Sequence, residues 1–422
     1  MIKLLATSDW HLGNVFHNQD RTLEFRHYLH DFLLKLIDEH RPDGLLVAGD
    51  VFDTRNPSPD IQRLYYDYLC QLHDCYPALQ IIVIAGNHDA PSRHTAKRKL
   101  LGLANVHLRA LVEQDVKQGK PDYADCVITV NGNESGERLN VVAVPYLHPG
   151  DYERIGNNYE NNVRNYIDNA LAKAREADPE APIVLMAHLY ATGSLLNKTY
   201  RGMAGGSQQV DVGNLNREIA LGVFGHIHHP QTIGGHWNMR YVGSALPMSF
   251  SEVGSSHGAE LYTFRGGRLT PDDIKRFEYQ PLHSLAVIEA DDGAPLPLKQ
   301  IEKLIASLQA APQVGKTNSP YYKVVVKAED CDDSTIRKLD TAFTNRNGIL
   351  CVVQKGSAAV SADIRPEDNP AVDFSSIQNL INDPMSVLEK RYESVSGAQL
   401  NSTQRELLQQ AIDEARVSLN NN

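Results

Sequence analysis

A chain of 422 residues exceeds what one hydrophobic core usually serves, so a large domain with a smaller companion is expected. With 42% hydrophobic and 22% charged residues, the composition is that of a folded protein and excludes disordered and fibrous classes. A formal net charge of −11 excludes a generally basic nucleic-acid surface and leaves local basic patches or a partner for any such ligand.

Cys70, Cys75, Cys126, Cys331 and Cys351 make no Cys-x-x-Cys pair and are odd in number. That pattern fits reduced thiols rather than a disulfide framework, and it argues against zinc held by thiolates. The first apolar run is too short for a signal segment and is broken by Asp9. No run approaches the ~20 apolar residues of a membrane span, so a cytoplasmic location with no membrane association is expected.

Taken in chain order, short apolar runs recur and each finishes on a polar residue able to bind a metal. "KLLATSD" ends at Asp9, "DGLLVAGD" at Asp50, "LQIIVIAGNHD" at Asn87 and His88, "PIVLMAH" at His188, and "LGVFGHIH" at His226 and His228. Between them lie helical stretches such as "RTLEFRHYLHDFLLKLIDEH", where Leu29, Phe32, Leu33, Leu36 and Ile37 form one apolar stripe. Strand and helix alternation predicts sheets covered by helices, with ligand groups at the carboxyl ends of strands. Alternation along a strand would also point Asp9 and His11 to one side.

This pattern runs to about residue 280 and closes with the strands of "GAELYTFRGGRLTPDDIKRFEY". Residues 281–362 then read strand, helix, strand, helix, strand, a small α/β domain. The linker "SADIRPEDNPAVD", which begins at Ser361, then leads to two helical segments within 363–422. In the second, Thr403 and Glu406 have capping-box spacing. These segments suit either packing on the chain's own core or docking in a partner groove.

The chemistry lies in Asp9-x-His11, Gly49-Asp50, Gly86-Asn87-His88-Asp89, His188 and Gly225-His226-x-His228. Seven of these side chains (Asp9, His11, Asp50, Asn87, His188, His226 and His228) offer oxygen or imidazole nitrogen and none offers sulfur, a set suited to Mn²⁺, Fe²⁺ or Zn²⁺. Seven donors are too many for one ion, whereas sharing Asp50 gives each of two ions about four, the arrangement of two-metal phosphoryl chemistry. The glycines before Asp50, Asn87 and His226 are expected to let the backbone turn sharply. A single Asp or Asn at a strand end is more often a turn former or cap, and a single His there is more often an ordinary core residue. No stability argument asks for a donor after five successive apolar strands.

This five-part pattern resembles the calcineurin-like metallophosphoesterases. The segment "GDVFDTRNPSP", the small second domain and the helical tail are similar to the nuclease subunits of bacterial DNA break-repair complexes. The resemblance covers essentially the whole chain. It implies an α/β fold of two β-sheets sandwiched between helical layers over residues 1–280, a small α/β capping domain facing DNA over 281–362, and an ATPase-binding tail over 363–422. It also implies a Mn²⁺-dependent nuclease acting in repair, replication and recombination. Such an enzyme is an exonuclease on duplex ends and an endonuclease on single-stranded or hairpin DNA. Its partner is a coiled-coil, SMC-like ATPase, within a heterotetramer built on a homodimer of this chain.

By the same resemblance Asp9, His11, Asp50 and His228 surround one ion and Asp50, Asn87, His188 and His226 the other. His88 protonates the leaving oxygen or stabilises the phosphate. Asp89 either orients His88 as catalytic support or caps the following helix, and the residues favour neither. Archaeal and eukaryotic relatives often carry a histidine where this chain has Asp53, a departure from the pattern. Candidate DNA contacts are Arg55, Arg93, Lys97, Arg98, Lys99, Lys198 and Arg201, although short charge runs are as often solvated faces. Two other classes remain: a small-molecule or cyclic-nucleotide phosphodiesterase using the same metal cluster, and a catalytically dead scaffold. A scaffold would be expected to have lost a ligand, and this chain has lost none.

Overall fold

The computed structural model describes residues 1–91, 97–115, 119–133, 135–155, 158–195, 209–312, 315–316, 318–356 and 404–405. Strands β1 (Ile2–Thr7), β2 (Gly44–Ala48), β3 (Gln80–Ile84) and β4 (Val106–Arg109) lie parallel. β11 (Gly258–Phe264) and β12 (Ile274–Glu278) extend the β1 edge antiparallel, giving the order β12-β11-β1-β2-β3-β4. A second six-stranded sheet holds β5 (Val127–Asn131), β6 (Arg138–Val144), β7 (Ile183–His188), β8 (Leu221–Gly225), β9 (Gln231–Ile233) and β10 (His236–Tyr241). Its order is β9-β10-β8-β7-β6-β5.

Both sheets are apolar on both faces, as strands covered on each side must be. Leu4, Ala6, Leu46, Ala48, Ile82 and Ile84 point from the first sheet against Val141, Ala143, Val184, Met186 and Val223 of the second. The alternate residues Leu5, Leu45, Val47, Ile81 and Val83 face helices instead. Those helices are α1, a continuous run over 22–40 whose middle, His27–Leu33, is π-helical, and α2 (Pro59–Cys75).

Helix α2 starts where Ser58 Oγ accepts the Ile61 N–H with Pro59 in the first turn, and it buries Ile61, Leu64, Tyr65, Tyr68, Leu69 and Leu72. Tyr65 and Tyr68 thus pack edge-on against Trp10. On the far side of the second sheet Val142, Val144 and Leu185 meet helix α4 (Tyr159–Ala177). The result is four layers, helix, sheet, sheet, helix, as the family resemblance implied. Each fully buried Leu, Val or Ile in them contributes roughly 1.5–3 kcal/mol. Between these helices in the chain lies the short helix α3 (Arg98–Leu103).

Residues 285–356 add a parallel sheet of β13 (Leu285–Ile288), β14 (Tyr321–Lys327) and β15 (Ile349–Gly356). Helices α5 (Leu298–Ser307) and α6 (Asp333–Thr344) cover one face through Ile301, Ile305, Leu339 and Phe343. The other face, through Leu285, Val287, Tyr321 and Ile349, packs on Phe16 and Phe250. Met1–Ala358 form one compact unit. The linker and the helical segments expected over 363–422 lie outside the described residues apart from 404–405. Among the described residues no helix is long and apolar enough to cross a membrane.

Candidate metal centre

All five donor-bearing segments begin at or within three residues of a strand's carboxyl end, but the first brings its two donors together by a route other than strand alternation. β1 ends at Thr7, and Asp9 and His11 sit beyond it with φ of 48° and 47°. Two left-handed residues, not a pleat, aim both side chains at the same site. Their backbone is tied to the neighbouring loop: Asp9 N–H donates to Gly49 O at 3.0 Å and His11 N–H to Asp50 O at 2.9 Å. Asp50 (φ 47°) and His226 (φ 99°) are also left-handed. Such conformations cost of order 1 kcal/mol or more each and persist where surrounding structure enforces them, typically at functional sites.

Asp50 is the hub. Its Oδ1 accepts the His88 N–H at 2.9 Å, and Oδ2 lies 3.4 Å from His188 Nε2 and 3.7 Å from His11 Nε2. Asn87 Oδ1 stands 3.1 Å from His188 Nε2 and 3.0 Å from His226 Nδ1. Asp9 accepts the His226 N–H on both oxygens, at 3.0 and 3.2 Å. His188 Nδ1 donates to Ala48 O at 2.9 Å, which turns its Nε2 toward Asp50. Asp9, His11 and His228 bring their donor atoms within 4.8 Å of one another, and so do Asp9, Asp50 and His188. All seven residues anticipated as donors therefore meet in one place.

Space for this convergence comes from missing side chains. A Cβ on Gly86 would stand 2.0 Å from Asp50 Oδ1, and one on Gly225 would stand 1.9 Å from Ala48 O. Of the three glycines expected to allow turns, only Gly49 is left-handed, at φ +91°. Gly86 and Gly225 are required instead because backbone approaches backbone and carboxylate too closely for any side chain.

The electrostatics fit a cation. Burial lowers the His11 imidazolium, but the carboxylates of Asp53, Asp50 and Asp9 outweigh it and hold its pKa up at about 9. For His188, burial is likewise overcome by the charge and hydrogen bond of Asp50 and by Asp9, and its pKa is about 9. Burial and the adjacent His188 push His226 down to about 3. Desolvation would raise Asp50, yet His188, His11 and His88 hold it well below the ordinary carboxylate range. The cluster thus gathers positive charge, which protons supply in the chain alone and which divalent ions supply on displacing them. A second observation agrees. His11 Nε2 and His228 Nε2 face each other at 3.2 Å, an approach that two lone pairs tolerate only with a proton or cation beside them.

His88 is exposed beside the donors, its ring edge-on to His11 at 4.9 Å. Its Nδ1 lies 2.9 Å from the Asp53 carbonyl oxygen, which therefore orients the ring. This corrects one expectation for Asp89. Buried completely, Asp89 accepts the N–H groups of Val51, Phe52 and Gly86 at 2.9–3.1 Å, joining the Asp50 and Asn87 loops from behind.

Asp53, which the sequence showed only as a departure from the family pattern, stands within the site. Its Oδ1 is 3.3 Å from His11 Nδ1 and accepts from Asn14 Nδ2 at 3.1 Å, and it groups with His11 and His88 as possible donors. Its place three residues after Asp50 was the available signal. Among the basic candidates, Arg98 pairs with Glu113 and Asp125, so its charge is neutralised within the chain rather than presented to DNA. Lys97 Nζ sits over the Tyr66 ring at 3.9 Å, while Arg55 and Lys99 are exposed. Arg93, Lys198 and Arg201 lie outside the described residues.

Comparison with known proteins bears directly on this cluster. A family model described as calcineurin-like phosphoesterase matches residues 2–230, and those residues carry every donor. The SbcD subunit of nuclease SbcCD from Rhodobacter capsulatus is 30% identical over 354 residues, which span 81% of this chain and 84% of that protein. The chain belongs to the calcineurin-like phosphoesterases, among the SbcD nucleases. The SbcD proteins of Escherichia coli K12 and Bacillus subtilis 168 are 28% and 29% identical over 301 and 270 residues. Those matches span 69% and 63% of this chain and 71% and 67% of the two proteins. It is accordingly a hydrolase, a metal-dependent phosphodiesterase of nuclease type.

Proposed function

We propose that the chain is a two-ion DNA nuclease in which Asp9, His11, Asp50 and His228 hold one ion and Asp50, Asn87, His188 and His226 the other, both most simply Mn²⁺. The observation that carries this reading is the central position of Asp50, with imidazoles of both groups around one of its oxygens. Held by these residues, two divalent ions would supply neutralisation of the scissile phosphate and a lowered pKa for the attacking water. The chain's own residues do the rest. Asp50 fixes the spacing of the two donor sets, and the Ala48 carbonyl keeps the His188 proton on Nδ1 so that Nε2 faces inward. His88 donates its Nδ1–H to the Asp53 carbonyl, so its Nε2 carries a proton for the leaving oxygen only as the imidazolium.

By the names of its relatives the substrate is DNA and the partner an SbcC subunit; that this partner is a coiled-coil ATPase, with two copies of this chain in a heterotetramer, rests on the resemblance read in the sequence. In this reading Arg55, Arg93, Lys97, Lys99, Lys198 and Arg201 remain DNA-contact candidates, residues 281–362 act as the capping domain, and residues 363–422 reach the ATPase. Exonuclease action on duplex ends and endonuclease action on single-stranded or hairpin DNA complete it.

The test is hydrolysis of an end-labelled DNA duplex and of a small aryl phosphodiester by the full chain, with Mn²⁺, after chelation, and in His88→Ala. Mn²⁺-dependent DNA cleavage that His88→Ala loses is the expected result. Turnover of the small ester alone, with and without the ATPase, would displace the nuclease assignment of substrate.

A further inference from the structure

His228 and its surroundings carry an inference that deepens the two-ion reading and rests on it. Behind the ring, on the side away from His11, lies Glu252, 2% exposed and in a short 3₁₀ turn, Phe250–Glu252. Its Oε1 is 3.4 Å from His228 Nδ1, while Oε2 accepts the Met248 N–H at 3.1 Å. The turn is fixed independently of the centre. Ser249 Oγ accepts the Ser251 N–H, Phe250 packs 5.2 Å from the Phe16 ring, and buried Arg21 donates to Pro247 O at 2.6 Å. His257, itself buried, stands with Nε2 3.8 Å from Glu252 Oε2 and Nδ1 3.0 Å from Ser244 Oγ.

A buried carboxylate is stable only where a donor or positive group meets it, and this one has a backbone amide on one oxygen and the His228 ring on the other. With the His228 Nδ1 proton committed to Glu252, the Nε2 lone pair is the one that faces His11 Nε2 at 3.2 Å. We infer that Glu252 is a positioning residue for His228: it fixes the ring's tautomer and angle, and through them the affinity of the Asp9, His11, Asp50 and His228 ion site. Carboxylates behind ligand histidines have this effect in metalloproteins generally, and their removal lowers metal affinity about 10–100-fold. Nothing in the sequence around "MSFSEVG" signals the role, because Glu252 stands 24 residues beyond His228.

The experiment is calorimetric titration of the full, metal-free chain with Mn²⁺, in wild type, Glu252→Ala and Glu252→Gln, with the unfolding midpoint without metal recorded for each. Wild type should take up two ions. Glu252→Ala should weaken one of them about 10–100-fold and leave the other unchanged. Glu252→Gln, which keeps an acceptor for His228, should recover part of the loss at an unfolding midpoint no higher than that of Glu252→Ala. Two wild-type affinities in both variants would overturn the inference while leaving the two-ion reading intact. If Glu252→Ala does not fold, Glu252→Gln decides by the same criterion, any weakening confined to one ion supporting the role. Failure of the wild type to bind Mn²⁺ would overturn the two-ion reading, and this inference with it.

Discussion

The two six-stranded sheets share one apolar interface but bring unlike chemistry to their common end. The first sheet supplies every oxygen donor, Asp9, Asp50 and Asn87, and places them on loops where Asp9, His11 and Asp50 are left-handed. The second supplies imidazoles only: His188 is the last residue of its strand, and His226 and His228 follow the next strand closely. Bent backbone serves carboxylate and imidazole alike, since Asp9, Asp50, His11 and His226 all have positive φ. Only His188 is presented directly by the last residue of a strand. The centre exists only because the two ends are held at one separation by the core between the sheets.

The sharpest way to break this comparison is to remove the hub. Asp50→Ala should lose both ions by elemental analysis and lower Mn²⁺-dependent turnover at least about 10³-fold. An Asp50→Ala protein still carrying two ions would mean that the oxygen donors of the first sheet do not organise the site. His88→Ala takes nothing from either donor set. Its metal content should match wild type while turnover falls about 10²–10⁴-fold, and a parallel loss of metal would make His88 a donor instead.

A subtler variant acts on the approach of the sheets. Gly225→Ala puts a Cβ 1.9 Å from the Ala48 carbonyl, the same oxygen that holds His188. Because backbone cannot yield as a side chain can, a loss of about 3 kcal/mol or more in denaturant unfolding of the metal-free chain is expected. Gly102→Ala gives the smallest effect and calibrates the others. That exposed helical glycine has nothing within 4 Å of an added Cβ, so the change should stabilise by about 0.5–1 kcal/mol. Equal destabilisation by the two substitutions would show that contact with Ala48 is not what Gly225 avoids.

The alternation of strands and helices was legible because their periodicities are local and strong, as in the stripe from Leu29 to Ile37, whereas the four layers came from the family resemblance. The donors were legible because five apolar runs each end on one. Much less so was the reason for individual residues. Gly86 and Gly225 read as turn formers, yet only the approach of Asp50 and Ala48 explains them. Asp89 offered two readings from its place beside His88, and neither foresaw the three backbone amides that it accepts. Arg98, in a basic run that suggested DNA, is paired with acids 15 and 27 residues away.

By itself, then, the sequence determined which atoms are available to a metal, the order in which strands deliver them, and the alternation of strands and helices that carries them. These follow from side-chain chemistry and from periods of two and 3.6 residues, which neighbours in the chain fix between them. Tertiary structure decided which groups stand behind the donors: Asp53 at His11, the Ala48 carbonyl at His188, Glu252 at His228, and Asp89 under two loops. Those choices depend on contacts between residues up to 140 positions apart, set by how two sheets pack and by where buried polar atoms find partners, and no local pattern encodes either.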